Sequence, residues 1–421
     1  MAQAYAPPEV MKTTDGVPLK VSLRRAMRRN RVKAFLLVAP LLLFITFTFM
    51  IPILQMLWRS VDNPELYQGI PATLAALSDW DEEGLPPEEV YAAFAADIKA
   101  EQGEDRPIGK VAARLNREVS GMRSLINKTA RNVRTIEQGP WKAALIDIDK
   151  DWGDPDVWRN IKRIGAPYTA AFYLAAFDME YTPGGRIELL SAEKRIYIDL
   201  FLRTLWISFI VTLFCVLLGY PISYLLANLP LKTSNLLMIL VLLPFWTSLL
   251  VRTSAWIVIL GKNGVLNDTL VWLGAVSDVN RPEMMYNQIG VIVAMTHILL
   301  PFMVLPLYSV MKTIPPSYMR AARSLGANPL TAFVRVYLPQ TVPGIGAGSI
   351  LVFIVAIGYY ITPALVGGQS GQMISNLIAY HMQQSLNWGL AAALGAILLA
   401  GVLALYWLYN RIVGIDNMKL G

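Results

Sequence analysis

Long apolar runs alternate with short polar connections over most of this chain of 421 residues. A helix needs about 20 apolar residues to cross the hydrocarbon core of a bilayer, so a run of that length predicts a membrane span. Backbone polar groups inside a bilayer must pair within the chain, so we expect an all-α integral membrane protein with six transmembrane helices. The runs that qualify cover residues 34–58, 200–228, 235–259, 288–311, 343–366 and 389–411.

Residues 59–195 interrupt this pattern, because they contain no run long enough to span a membrane. Two prolines followed by two glutamates indicate a helix start near residue 86, and mainly apolar residues recur at helical spacing over 109–134. We therefore expect a mainly helical domain, inserted between the first and second spans. The tryptophans that are candidates for its core are Trp141, Trp152 and Trp158.

The charges predict the orientation of the spans. The chain has 37 Lys and Arg residues against 30 Asp and Glu residues, and the basic ones cluster on alternate connections. Cytoplasmic loops are enriched in Lys and Arg, so both termini should be cytoplasmic and residues 59–195 exported. Residues 1–33 then form a cytoplasmic segment. The first run is too long for a signal peptide and lacks a following small-residue cleavage site, so it predicts an uncleaved span.

Composition and motifs argue against several classes of protein. Hydrophobic residues make up 55% of the chain, whereas soluble domains contain about 45–50% apolar residues. A single cysteine cannot form an intramolecular disulfide, and two isolated histidines do not have the spacing of a zinc site. The interleaved aromatic and basic stripes of nucleic-acid readers are absent. The motifs H-E-x-x-H and G-x-S-x-G are absent too, so we expect neither a metal site nor an enzyme.

The predicted connection between the fourth and fifth spans, residues 312–342, contains the stretch YMRAARSLGANPLTAFVRVYLPQ. This pattern predicts two short helices joined by a tight turn. Leu325 would end the first helix, and Gly326 can adopt the positive φ that follows a helix C-terminus. Asn328 is a favourable N-cap, and Pro329 suits the first turn of the next helix. Such a helix pair, projecting from a membrane domain, is suited to docking a protein outside the membrane.

This stretch resembles the EAA loop of the permease subunits of ABC importers. The family pattern is Glu-Ala-Ala, three residues, Gly, nine residues, then Ile-x-Leu-Pro. The resemblance implies a loop that couples the permease to an ATPase. Arg320 stands in the place of the family's glutamate, so it would pair with an acidic residue of the partner or with lipid phosphates. The residues that the resemblance assigns to the coupling loop are Arg320, Ala321, Ala322, Gly326, Ala327, Val336, Leu338 and Pro339.

Three further segments, 203–227, 242–267 and 353–368, are similar to permeases of the spermidine/putrescine type. The likeness covers residues 1–58 and 196–421, and it leaves out 59–195. It implies a MetI-like, type I permease core over 196–421, in a bacterial inner membrane, carrying helices 2–6.

The same resemblance implies the partners of the chain. They are a second, homologous permease subunit, two cytoplasmic ATPase subunits and a periplasmic solute-binding protein. ATP and Mg would bind to the ATPases and no cofactor to this chain, which lacks a G-x-x-x-x-G-K-[ST] phosphate loop. Transport would proceed by alternating access, with the coupling loop responding to closure of the ATPases.

The solute path is predicted from residues in and beside the spans. Aromatic faces suit a polycation, although each aromatic residue could equally pack between helices or lie at the membrane interface. Arg252 either snorkels or pairs with a carboxylate of the second subunit or of the binding protein. His297 is expected to hydrogen-bond between helices, and Asp268 could attract a cation or cap a helix. The candidate path residues are Trp246, Arg252, Trp256, His297, Tyr359 and Tyr360.

Several functional alternatives remain open at this level. The solute could be a polyamine, an amino acid or another small organic compound. A carrier that works alone usually has more spans and more intramembrane ionisable groups, and an intramembrane enzyme needs a catalytic pair that is missing here. A scaffold would use the exported domain as its working part. Within an importer, residues 59–195 could dock the binding protein or only stabilise the assembly.

Overall fold

The computed structural model describes residues 19–100, 107–182 and 185–413 of the chain. The fold is almost entirely helical over these residues, as predicted, and it divides into two compact units, Met1–Trp58 and Arg59–Gly421. Residues 1–18 of the predicted cytoplasmic segment lie outside the described part.

The first unit is one long helix interrupted by a single wide turn. It consists of α1 (Leu19–Ile45), a π-helical turn (Thr46–Met50) and α2 (Ile51–Arg59). The Thr46 hydroxyl donates to the Leu42 carbonyl at 2.8 Å, which satisfies this polar side chain within an apolar helix. The helix contains the predicted first span and begins well before it.

The inserted segment is a set of short helices followed by a small hairpin. The helices are α3 (Pro64–Gly69), α4 (Pro71–Ser78), α5 (Glu88–Lys99), α6 (Pro107–Glu118), α7 (Met122–Val133), α8 (Trp141–Ile148), α9 (Pro155–Ile164) and α10 (Ala171–Ala176). The antiparallel strands are β1 (Met179–Tyr181) and β2 (Ile187–Leu189).

Two tryptophans form the centre of this segment. Trp152 and Trp158 are fully buried, with ring centroids 4.9 Å apart, and the Tyr91 hydroxyl donates to the Trp152 carbonyl at 2.9 Å. These two predicted core residues are confirmed, whereas Trp141 packs only at the edge. The apolar stripe over 109–134 belongs to two helices, because Gly121 adopts a φ of 91° and turns the chain between them.

The remaining helices form the spans and their connections. They are α11 (Tyr197–Asn228), α12 (Leu231–Trp246), α13 (Leu249–Leu260), α14 (Val265–Trp272), α15 (Gln288–Thr313), α16 (Pro316–Ser324), α17 (Pro329–Ala332), α18 (Leu338–Ile357), α19 (Ile361–Val366), α20 (Ile374–Gln383) and α21 (Trp388–Val413). A π-helical turn, Phe333–Tyr337, joins α17 to α18. Six helical stretches of the described chain are long and apolar enough to cross a membrane, which is the predicted number.

Two predicted spans have different boundaries from those expected. The third, predicted over 235–259, is broken between α12 and α13, where Thr247 is extended. Pro244 stands in the last turn of α12, and the Thr247 hydroxyl donates to its carbonyl at 3.2 Å, so a local bond replaces helix continuation. The fifth, predicted over 343–366, ends at Ile357, and α19 begins after a three-residue interruption. Neither break interrupts the apolar run, so hydropathy alone could not locate them.

Close contacts at glycine positions hold the central helices α11, α15 and α18 together. A Cβ at Gly219 would lie 2.9 Å from Met303 Cγ, and one at Gly348 would lie 2.6 Å from Met303 Sδ. Gly344 approaches Val310 in the same way. Small residues let membrane helices approach closely, so this contact explains the G-x-x-x-G spacing of Gly344 and Gly348.

We expect Gly348→Val to destabilise the fold by about 1–3 kcal/mol, because the added atoms overpack the contact with Met303. The measurement is thermal unfolding of the purified chain in detergent. Gly395→Val is the matched control, since no atom lies within 4 Å of a Cβ at that position. Equal unfolding temperatures for the two variants would contradict the close-contact interpretation.

Candidate functional site

The turn around Gly326 has the geometry that the sequence predicts. Gly326 adopts a φ of 91° directly after α16 and its C-cap Leu325. The Gly326 N–H donates to the Arg323 carbonyl at 3.0 Å, and the Ala327 N–H donates to the Ala322 carbonyl at 3.1 Å. These two bonds form a Schellman motif, which ends a helix by satisfying its last carbonyls.

The chain enters the next helix immediately after this turn. The Asn328 side chain accepts a hydrogen bond from the Thr331 N–H at 2.7 Å, so it is the predicted N-cap, and Pro329 follows in the first turn. From Pro329 to Ile357 the chain is one continuous helical stretch. The turn is therefore built onto the end of a span, and a displacement of the turn would act on that span directly.

A groove of about 710 Å³ lies behind the helix pair. Three cationic side chains line it, and no carboxylate is among its described lining residues. The cations are Lys312, Arg320 and Arg323. Leu325 is 89% exposed, and Leu330, at the edge of the groove, is 72% exposed. Apolar tips beside a basic groove are suited to binding another protein that carries acidic groups.

The predicted coupling residues divide between the turn and the span. Arg320, Ala321, Ala322, Gly326 and Ala327 lie on α16 and the turn, whereas the others lie at the base of the long helix. Those others are Val336, in the π-helical turn, and Leu338 and Pro339, in the first turn of α18.

Sequence reasoning missed the aromatic cluster that supports the groove. Tyr224 at the end of α11 contacts both Phe333 and Tyr337, with ring centroids 5.7 and 5.3 Å apart. The tyrosine lies more than 100 positions away from its partners along the chain, so no local pattern joins them. The aromatic side chains at one end of α11 were the only available signal.

Four of the predicted path residues come together where α13, α15 and α19 meet. The Trp256 indole N–H donates to His297 Nδ1 at 3.2 Å, which is the predicted hydrogen bond between helices. Arg252 lies one helical turn before Trp256, close enough for its charge to act on His297 and on Tyr359. The cluster formed by Arg252, Trp256, His297 and Tyr359 is called the arginine cluster below.

The other two predicted path residues lie apart from this cluster. Trp246 ends α12 and is 68% exposed, and Tyr360 precedes α19 with 41% exposed. Asp268 forms a salt bridge with Arg281 at 2.7 Å and does not cap a helix, since Gly264 occupies the N-cap of α14. Arg281 also forms a salt bridge with Asp278 at 2.7 Å, so Asp268 shares this cation with a second carboxylate.

The inserted segment is fastened to the spans through Asp178. This side chain is fully buried, and its carboxylate accepts hydrogen bonds from the N–H groups of Ile196, Tyr197 and Ile198 at 3.0, 3.1 and 2.9 Å. The carboxylate thus satisfies N–H groups at the start of α11 that have no partner within the helix. A negative charge is also favourable at the positive end of the helix dipole.

A separate contact, near the same end of α11, joins this helix to α20. The Tyr197 hydroxyl lies 3.1 Å from His381 Nε2, and His381 Nδ1 lies 2.8 Å from the Ser385 hydroxyl. Burial, and to a smaller extent the charge of Arg117, lowers the pKa of His381 below its ordinary value, so the imidazole is neutral at pH 7. Sequence analysis had left His381 isolated, because its partners come from distant parts of the chain.

A further contact between the inserted segment and the spans places an aromatic ring of the segment against α21. A Cβ at Gly389 would lie 2.3 Å from the ring of Phe172, so only glycine lets α10 approach the start of α21 this closely. The inserted segment is thereby joined to the ends of α11 and α21. The basic groove lies beside the opposite end of α11, which is 32 residues long and therefore extends about 48 Å.

A family model described as "Binding-protein-dependent transport system inner membrane component" matches residues 195–413, a little over half of the chain. The spermidine/putrescine transport system permease protein PotB of Escherichia coli K12 is 35% identical over 257 residues, covering 60% of this chain and 92% of the relative. PotB of Haemophilus influenzae is 37% identical over 221 residues, covering 52% and 77%.

Among solved structures, similarity is found to a chain of a bacterial alginate ABC transporter in complex with an alginate pentasaccharide-bound periplasmic protein. The two chains are 18% identical with a TM-score of 0.43, and the match covers 53% of this chain and 80% of the other.

We expect Asp178→Asn to destabilise the attachment of the inserted segment by about 1.5–3 kcal/mol. A neutral amide oxygen accepts backbone hydrogen bonds less strongly than a carboxylate oxygen. The amide nitrogen of asparagine would also point its N–H groups toward one of the backbone N–H groups that Asp178 now accepts from. Asparagine tolerates the positive φ of 56° at this position almost as well as aspartate, so the variant isolates the charge. The measurement is limited proteolysis combined with thermal unfolding. Asp199→Asn, an exposed carboxylate in the first turn of α11, is the control. If both variants behave alike, Asp178 does not hold this contact.

Proposed function

Because this chain belongs to the family of binding-protein-dependent transport system inner membrane components, and is a multi-pass permease subunit of an ABC importer, we propose that its solute is a polyamine such as putrescine or spermidine. The observation that supports this solute class is the similarity to PotB, which extends over 92% of the Escherichia coli protein. The match covers 60% of this chain.

ATP hydrolysis belongs in this proposal to two separate cytoplasmic ATPase subunits, which bind ATP and Mg, whereas this chain binds no cofactor. The helix pair of residues 316–332 docks on one of these ATPases. Its exposed apolar tips, Leu325 and Leu330, supply the contact area. Arg320 replaces the glutamate of the resembled family, so the ATPase presents a carboxylate to the basic groove.

The movement of the turn is transmitted by the long helix of residues 329–357. This helix begins at the turn and ends beside Tyr359 in the arginine cluster. A continuous helix that is joined to the docking turn at one end and to a break at the other can tilt when the ATPases close. Alternating access by tilting of this helix, together with the matching helix of a second permease subunit, follows from this arrangement.

The proposed orientation follows from the position of the groove. If the helix pair faces the cytoplasm, the inserted segment lies at the opposite end of α11 and faces the periplasm, with both termini of the chain cytoplasmic. We assign to residues 59–195 the docking of the solute-binding protein, because they are fixed to the starts of α11 and α21 at that end. Stabilisation of those two helices alone is the alternative role.

A second candidate solute class is favoured by one observation. Arg252 is a cation in the arginine cluster, and a cation there attracts a carboxylate and repels an amine. An amino acid or another small organic solute with a carboxylate would suit such a residue better than a polyamine does.

The test is solute uptake into proteoliposomes that contain this chain with the permease, ATPase and binding protein encoded beside it. We expect ATP-dependent uptake of radiolabelled putrescine or spermidine, and no uptake of glutamate or of a neutral sugar. Liposomes that lack the binding protein are the control. ATP-dependent uptake of an amino acid without polyamine uptake would replace the solute assignment and keep the importer. An assembly without ATP-dependent uptake of any tested solute would contradict the importer function itself.

We expect Gly326→Pro to abolish uptake while the complex still assembles. Proline cannot adopt a φ of 91°, and it removes the N–H that bonds to the Arg323 carbonyl. Gly326→Ala meets no atom within 4 Å, so it adds only backbone strain, which we expect to be about 1–2 kcal/mol. Its uptake should therefore be reduced but measurable. Full uptake in the proline variant would rule out the docking role of this turn.

A further inference from the structure

We propose that Arg252 forms an ion pair with a carboxylate of the second permease subunit, inside the membrane. This inference rests on the proposed function, since it requires an importer with two permease chains. The observation behind it is a guanidinium that is partly enclosed by its own chain and has no acceptor there. Nε and Nη1 of Arg252 are both buried without a hydrogen-bond partner.

The position of Arg252 on its helix argues against a simple contact with the lipid headgroups. It lies on the same face of α13 as the buried Thr253 and the partly buried Trp256. The opposite face carries the exposed side chains of Val251 and Val258. A snorkelling arginine keeps its nitrogens in contact with water or phosphates, whereas two of the three nitrogens of Arg252 are covered.

The side chains around Arg252 add donors and no anion. Since Trp256 donates to Nδ1 of His297, the imidazole proton lies on Nε2 and the ring is neutral. Tyr359, the other member of the arginine cluster, is a phenol and carries no negative charge at neutral pH. No salt bridge to Arg252 is formed by any residue within the described part of the chain. The charge therefore lacks compensation from within this subunit.

An uncompensated charge within a membrane span is unfavourable. Ionisable residues in spans are rare, and they nearly always face the bundle interior and pair with another group. Nη2 is the one nitrogen of Arg252 that is not covered. An acceptor from outside this chain can approach the guanidinium from that side.

The second permease subunit is the source of the carboxylate that fits best. A polyamine has no carboxylate and is repelled by the guanidinium. Any solute occupies the site during only part of the transport cycle and leaves the charge uncompensated for the rest. A soluble binding protein dissociates and does not reach into the spans. A subunit that is always present can compensate the charge in every state.

The test uses the complete importer complex, and it begins with a selection. Arg252→Glu should prevent uptake. This variant is then combined with a library of the second permease, in which each member has one Asp or Glu changed to Lys. We expect a single member of the library to restore uptake. Loss of uptake in the Arg252→Glu complex is expected to be at least tenfold, since truncating one partner of a buried charge pair weakens it by about that factor or more.

A neutral double variant distinguishes an ion pair from a general defect. Arg252→Gln alone should lower the unfolding temperature of the complex, because it leaves the partner carboxylate uncompensated. In the double variant, Arg252→Gln is combined with a change of the selected Asp or Glu of the second permease to Asn or Gln. The double variant should regain the unfolding temperature of the unmodified complex, since a neutral hydrogen-bonded pair avoids the desolvation of two charges. Arg203→Gln is the matched control, because the Arg203 guanidinium already donates to the Gln369 carbonyl at 3.1 Å.

Two results would overturn the proposal. In the first, Arg252→Gln leaves the complex as stable as the Arg203→Gln control, and no acidic residue of the second permease restores the Arg252→Glu variant. In the second, the Arg252→Gln complex is stable but changes its preference among amino acid solutes, which would assign the carboxylate to the solute. Uptake of polyamines by the unmodified complex tests the proposed function separately, so the two failures are distinguishable.

Discussion

The close contact of α11, α15 and α18 at glycine positions is the constraint on which the rest of the structure depends. Met303 lies against Gly219 on one side and against Gly348 on the other, so one side chain of α15 sets the distance to both neighbouring helices. These three helices carry the functional parts at their ends. The turn at Gly326 lies between α15 and α18, and the inserted segment is bound to the start of α11. A change in their packing would therefore reach both ends of the molecule.

Many polar side chains of the spans have a hydrogen-bond partner within their own helix or on a neighbouring helix. Thr204 donates to the Leu200 carbonyl at 2.7 Å, and the Ser223 hydroxyl donates to the Val304 carbonyl at 3.2 Å. Asp268 forms a salt bridge with Arg281. Arg252 differs because its charge is held on the inner face of α13 without an anion. In the proposed assembly with a second permease subunit, the interface supplies the anion that this chain lacks.

The inserted segment has its own core around Trp152 and Trp158, yet it forms one compact unit with the spans from Arg59 onward. The segment is attached by the buried carboxylate of Asp178 at the start of α11 and by the ring of Phe172 against Gly389. Each contact requires one relative position of the two groups. A flexible tether would not need either. The segment is thus placed to move with α11 and α21.

The sequence by itself determined what depends on neighbouring residues. The turn at Gly326, the N-cap at Asn328, the number of spans and the buried tryptophans were all predictable, because φ preferences, capping and hydrophobic periodicity act over a few residues. The interruptions after Trp246 and Ile357, the Asp178 contact and the cluster of Tyr224 with Phe333 and Tyr337 were not. Those features depend on partners brought together from distant positions, and in a long apolar run every helical boundary has a similar local free energy. Only tertiary packing selects among them, and it alone brought Arg252, Trp256, His297 and Tyr359 to one place.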